Sequence, residues 1–193
     1  MPWYKKYLEN IWNVPNVLTM LRLVLIPVYA FLFYRGKMIA AMCVFVGACM
    51  TDWLDGYLAR KHNQITAFGK LMDPLADKLM VVTVMLTNVI AGRLPWLPLV
   101  ILVCKELYMI WGGWRLIREK DIVVYASPIG KIAQFTFCIG LALTFLHKYF
   151  VSLPIKPDVV IIWIATIMTL IACVHYTVKI FKQLNQLKNP GAN

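Results

Sequence analysis

Six stretches of nearly continuous apolar residues, at about 16–35, 38–60, 67–91, 95–117, 127–150 and 157–181, alternate with short interruptions. The interruptions are Gly36, the polar run Lys61-His62-Asn63-Gln64, Gly92 with Pro95, the charged run Arg118-Glu119-Lys120-Asp121, and Pro154 with Pro157. A helix that crosses a bilayer needs about 20 mostly apolar residues. Backbone facing lipid must satisfy its own hydrogen bonds, which leaves helices or closed barrels, and these runs are too long for barrel strands. The pattern predicts an all-α, polytopic integral membrane protein of six transmembrane helices, forming one domain over residues 1–193. Ahead of the first span, Trp3, Tyr4, Tyr7, Leu8, Ile11 and Trp12 recur at helical spacing, with Lys5, Lys6 and Glu9 elsewhere. That spacing predicts a short amphipathic helix over 1–12 lying in the membrane interface. Residues 182–193 read as a polar tail. No cleavable signal peptide is evident, because Pro15 and Asn16 interrupt the basic, aromatic start before the first long apolar run.

Composition sharpens this picture. Hydrophobic residues make up 61% of the 193 and charged residues 15%, against about 45–50% and about 25% in soluble domains. An ordinary soluble domain and a disordered chain are both excluded. The formal net charge of +11 suits an anionic lipid or substrate, and the long apolar runs between the cations argue against nucleic acid. The ends and loops on the N-terminal side hold Lys5, Lys6, Arg60, Lys61, Arg115, Arg118, Lys120, Lys179, Lys182 and Lys188; the other side holds Arg35, Lys37, Arg93, Lys148 and Lys156. That bias places both termini in the cytoplasm of a cell whose membrane the chain spans, taken as bacterial. Cys43, Cys49, Cys104, Cys138 and Cys173 lie in or beside apolar runs without CxxC spacing, and read as small buried hydrophobes.

The chemistry concentrates in one segment, TDWLDGYLARKHNQITAFGKLMDPLADK, which holds Asp52, Asp55, Asp73 and Asp77, four of the nine acidic residues. A carboxylate inside a membrane helix is costly and points to function. Asp52 and Asp55 are three apart and Asp73 and Asp77 four apart, so each pair shares a helix face. A short loop between the two helices makes them antiparallel neighbours and lets the pairs converge at the cytoplasmic end. Four converging carboxylates cannot all stay ionised unpaired. Hard oxygen ligands suit Mg²⁺ or Mn²⁺, and two such ions serve phosphoryl transfer; zinc would want His or Cys, and only His62 is near. Ion pairing with Arg60, Lys61, Lys70 and Lys78 is the plainer alternative. Gly56 and Ala59 follow the aspartates by one turn and clear a groove for a base or phosphate, or simply permit close helix packing.

The spacing Asp52-x2-Asp55-Gly56-x2-Ala59-Arg60-x8-Gly69-x3-Asp73-x3-Asp77 resembles the signature of the CDP-alcohol phosphatidyltransferase family at every position. The resemblance implies six spans, a cytoplasmic site, and two divalent cations held by Asp52, Asp55, Asp73 and Asp77, with Asp77 as general base. It implies that Asp52, Gly56, Ala59, Arg60, Gly69 and Thr66 belong to the site for the nucleotide of CDP-diacylglycerol, and that the protein is a homodimer. Two metals would neutralise the pyrophosphate and stabilise the departing CMP, while a carboxylate takes the proton of the attacking alcohol.

The start Asn13-Val14-Pro15-Asn16-Val17-Leu18-Thr19-Met20-Leu21-Arg22, with Ile26-Pro27, is similar to that of the family's phosphatidylglycerophosphate synthase branch and of related cardiolipin synthases. Asn16, Thr19 and Arg22 fall on one face and could hydrogen-bond the active-site end of the second helix or a phosphate, or act as polar glue between helices. Lys105-Glu106, Arg115 and Gly130-Lys131 resemble the branch, whereas Ala133-Gln134 departs from its Lys-Thr. Lys105, Arg115 and Lys131 are the candidate cations for a phosphate-bearing acceptor such as glycerol 3-phosphate. Phosphatidylglycerol, giving cardiolipin, or an inositol phosphate is the alternative acceptor within the family. A small cation transporter using the four aspartates is the alternative from another class, although no inverted repeat supports it.

Overall fold

The computed structural model describes residues 14–62, 67–120 and 128–188, with side chains over 16–51, 72, 75–112 and 128–181. These residues are helix and turn: α1 Val14–Tyr34, α2 Met38–His62, α3 Ala67–Ile90, α4 Trp96–Lys120, α5 Pro128–Thr144, α6 His147–Phe150 and α7 Pro157–Lys188. The expected interfacial helix over 1–12 lies outside the described residues. Each of the six apolar runs contains one long helix. The chain divides into two compact units, Met1–Arg93 with α1–α3 and Leu94–Asn193 with α4–α7.

In the first unit α1 packs against both α2 and α3. Pro15 occupies the first turn of α1, where its missing N–H has no intrahelical partner to lose. Pro27 lies inside α1 without ending it, as membrane helices tolerate. The helix stops at Gly36, whose φ of 70° is left-handed. Gly36 N donates to Phe33 O and Lys37 N to Leu32 O, both at 3.0 Å, the paired bonds of a Schellman cap. α3 ends the same way: Gly92 has φ 68°, Gly92 N donates to Val89 O, and Arg93 N donates to Asn88 O.

In the first unit α1 turns a polar face inward and apolar residues outward. Asn16, Thr19, Arg22 and Tyr29 on α1 are buried, while Val17, Leu21, Val24, Val28 and Phe31 on the same helix are exposed. Water would penalise that arrangement and lipid favours it. α7 repeats it, with Asp158, Thr166 and Thr169 buried and Val160, Ile164, Ile167, Ile171, Val174 and Phe181 exposed. Among the described residues, Asn16–Tyr34 and Pro157–Phe181 are long and apolar enough, by length and composition, to cross a membrane; Met38–Thr51 of α2 and Pro128–Thr144 are shorter apolar stretches.

In the second unit α5 lies along α7, and α4 also packs on α7. Gly140 brings α5 close: a Cβ there would stand 2.9 Å from Ile162 Cδ1 and 3.1 Å from Ile161 Cγ2. Two boundaries differ from expectation. The run 127–150 is not one helix, because α5 ends at Thr144. The Thr144 hydroxyl donates to Leu141 O at 2.6 Å, and Phe145 N turns to Ala142 O, so the side chain has taken the carbonyl that the next helical bond would use. The other change is in α7, which stays helical to Lys188, through most of the expected tail.

Candidate active site

Asp52, Asp55, Gly56, Ala59 and Arg60 lie on the C-terminal half of α2, and Gly69, Asp73 and Asp77 on the N-terminal half of α3. The two helices pack on one another and are joined through 63–66, so both halves stand at one end of the first unit. Gly69, Asp73 and Asp77 follow at four-residue steps along one face of α3. Thr66 lies outside the described residues, as do the side chains of Asp52, Asp55, Arg60 and Asp73. Asp77 is half-buried and follows the fully buried Ala76. Among the described residues no three His, Cys, Asp or Glu side chains group as a metal site, and Asp77 is the one motif aspartate that this covers.

The polar face of α1 reaches the same end. Tyr29 Oη and Thr87 Oγ1 are 2.8 Å apart, joining α1 and α3 at an offset of 58 residues. Thr87 Oγ1 also lies 3.0 Å from Val84 O, which accepts its proton when Tyr29 donates. Both helices rise about 1.5 Å per residue and run in the same direction, so that register puts Thr19 level with Asp77. Asn16, Thr19 and Arg22, each no more than 1% exposed, therefore form the polar lining of α1 beside the aspartate-bearing turns of α3. Tyr29 extends the same face and was not anticipated; the seven-residue step from Arg22 was its signal.

The second unit holds the candidate acceptor cations. Lys105 lies within α4, half-buried, and its Nζ pairs with the carboxylate of Glu106. That pairing takes up part of the charge expected for a substrate phosphate. Lys131 is exposed in the first turn of α5. Arg115 is on α4 with its side chain outside the described set. Farther along α4, Tyr108 Oη and Thr177 Oγ1 of α7 are 3.0 Å apart. An unanticipated buried pair ties α6 to α7: His147 Nδ1 is 2.5 Å from Asp158 Oδ2, and Asp158 is fully buried. Asp158 Oδ1 has no hydrogen-bond partner among the described residues.

Residues 12–172 match the model of the CDP-alcohol phosphatidyltransferase family. A Rickettsia typhi protein named CDP-diacylglycerol–glycerol-3-phosphate 3-phosphatidyltransferase is 34% identical over 172 residues, covering 85% of this chain and 94% of its own length. A Bacillus subtilis protein of the same name is 30% identical over 191 residues, covering 90% and 97%. One from Pseudomonas fluorescens is 44% identical over 100 residues, 49% of this chain. The family match spans most of the chain and includes the whole α2–α3 motif: the chain belongs to the CDP-alcohol phosphatidyltransferase family and is an enzyme of that class.

Proposed function

We propose that the protein transfers the phosphatidyl group of CDP-diacylglycerol to glycerol 3-phosphate, giving phosphatidylglycerol phosphate and CMP. The observation that carries this reading is the complete eight-position motif on the adjoining halves of α2 and α3; the names of the relatives support the donor and the acceptor. Membership of an enzyme family sets aside the cation transporter.

Asp52, Asp55, Asp73 and Asp77 form an all-oxygen donor set at one end of the unit, which fits two Mg²⁺ or Mn²⁺ ions. Such ions supply charge neutralisation at the pyrophosphate and polarise the phosphorus. Gly56, Ala59 and Gly69 keep the helix surfaces low where the cytidine approaches, with Arg60 and Thr66 bonding the nucleotide. Asp77 accepts the proton of the acceptor hydroxyl as its oxygen bonds to phosphorus and the bond to CMP breaks. Asn16, Thr19 and Arg22 hold the α3 end in place from α1. Arg115 and Lys131 bind the acceptor phosphate, and Lys105, oriented by Glu106, adds to that charge. The six long helices act as six spans of one domain, with 1–12 at the interface, both termini and the site cytoplasmic, and the protein a homodimer in the membrane.

An acceptor panel tests the reading. Purified protein with CDP-diacylglycerol and Mn²⁺ is given glycerol 3-phosphate, phosphatidylglycerol or an inositol phosphate, and the lipid product is identified by mass spectrometry. Phosphatidylglycerol phosphate with equimolar CMP is expected. Product from phosphatidylglycerol alone would reassign the acceptor and make Ala133-Gln134 the mark of that change.

A further inference from the structure

The first unit carries a second group of charges, at the end remote from the aspartates. Arg35 and Lys37 lie in the turn after α1, and Arg93 in the turn after α3. Arg93 Cζ stands 5.0 Å from the Phe33 ring centroid, and its Nη1 and Nη2 are 3.4 and 3.5 Å from Met38 Sδ. These contacts bring the end of α3 against the α1–α2 turn, so the three cations share one end of the unit. Arg35 Cζ stands 5.1 Å over the Phe31 ring.

A ring face and a thioether steady a guanidinium but are weak substitutes for an oxygen acceptor. Among the described residues no carboxylate bonds Arg35, Lys37 or Arg93. The sequence explains why: no Asp or Glu occurs between Glu9 and Asp52, or between Asp77 and Glu106. The cations are therefore placed for an anion from outside the unit. Their surroundings say what kind. Tyr34, Ile39 and Ile90, exposed by 89%, 77% and 76%, stand at the same end. A soluble anion would use the charges and leave this apolar collar bare. A phospholipid uses both, with phosphate oxygens on the guanidinium forks and acyl chains along the collar.

We propose that Arg35, Lys37 and Arg93 form a binding site for the headgroup phosphate of an anionic phospholipid, in the leaflet opposite the catalytic end. The site selects by charge and is separate from the site for the reacting lipid.

The test compares full-length wild type with R35Q/K37Q/R93Q, purified in detergent and mixed with equal amounts of phosphatidylglycerol and phosphatidylcholine. Lipid retained on the protein is counted by native mass spectrometry. Wild type should prefer phosphatidylglycerol, and the preference should fall about five-fold per cation removed, the scale of one interfacial charge. R35K/R93K, which keeps the charges, should retain the preference. Equal retention by wild type and the Gln variant overturns the proposal. So does loss of preference in the Lys variant, since charge would then not select. Displacement of the lipid by inorganic phosphate at the lipid's own concentration would mark a soluble-anion site and overturns it too. CMP release by the Gln variant should match wild type in detergent, because the substituted residues are remote from the aspartates.

Discussion

A carboxylate that both holds a cation and takes a proton should separate binding from turnover when it loses its charge. Asp77→Asn should lower kcat by about 10²-fold or more, the scale of a lost general base, with a smaller change in KM for CDP-diacylglycerol, read as CMP released. Equal loss of binding and turnover would make Asp77 chiefly a ligand. Asp52→Asn and Asp73→Asn should abolish turnover in protein that stays folded in detergent, since each removes ligand charge. Arg115→Gln and Lys131→Gln should instead raise KM for glycerol 3-phosphate about tenfold, the worth of one charge-assisted hydrogen bond, and leave KM for the donor nearly unchanged. The aspartates stand out in the sequence as carboxylates in an apolar run, and the three-residue steps of Asn16, Thr19 and Arg22 show a shared face; that this face is buried comes from the structure. The partner of Lys105 was harder to read. Neighbouring residues point about 100° apart on a helix, so the i, i+3 and i, i+4 rules do not pair Lys105 with Glu106.

Helix limits were legible wherever glycine or proline set them and illegible where a side chain did. Gly36 and Gly92 end α1 and α3 with positive φ, as their place between apolar runs suggested. The stop at Thr144 involves no glycine or proline; it goes with one hydroxyl on Leu141 O and a pair between residues eleven apart. That pair has a measurable weight. His147→Ala would leave the fully buried Asp158 carboxylate with neither oxygen bonded among the described residues. Removing one partner of a buried pair costs about 3–5 kcal/mol, so the thermal midpoint in detergent should fall clearly. Adding Asp158→Ala should recover part of the loss, because the stranded charge is gone; a double variant worse than His147→Ala would show that packing, not the pair, holds α6 to α7. Along the same helices, Gly140→Leu should cost about 1–3 kcal/mol by overpacking, because even its Cβ meets Ile162 and Ile161. A Cβ at Gly36 meets nothing within 4 Å, so Gly36→Ala should cost only its left-handed strain, about 1–2 kcal/mol.

Over the whole molecule, the charge bias read from the sequence gives an expected direction for the chain, which labelling can test. An all-helical chain with polar residues turned inward on α1 and α7 and apolar residues turned outward is suited to lipid. Six spans would return the C-terminus to the side of the N-terminus. Ten cations at helix ends and beyond them then lie with the termini and five on the opposite side, the bias that retains a cytoplasmic surface. The turns holding Arg35, Lys37 and Arg93 would face outward, and the α2–α3 link inward beside soluble glycerol 3-phosphate and CMP. Single cysteines placed at Lys37, Arg93, Lys156, His62 and Lys188 in a variant without the native five test this directly. With a membrane-impermeant maleimide on intact cells, Lys37→Cys, Arg93→Cys and Lys156→Cys should label. His62→Cys and Lys188→Cys should label only after the membrane is opened. Labelling of Lys37→Cys and Lys188→Cys from the same side would require an even number of crossings between them. One of the five helices from α2 onward is then not a span, and α5, the shortest at 17 residues and broken after Thr144, is the first to suspect.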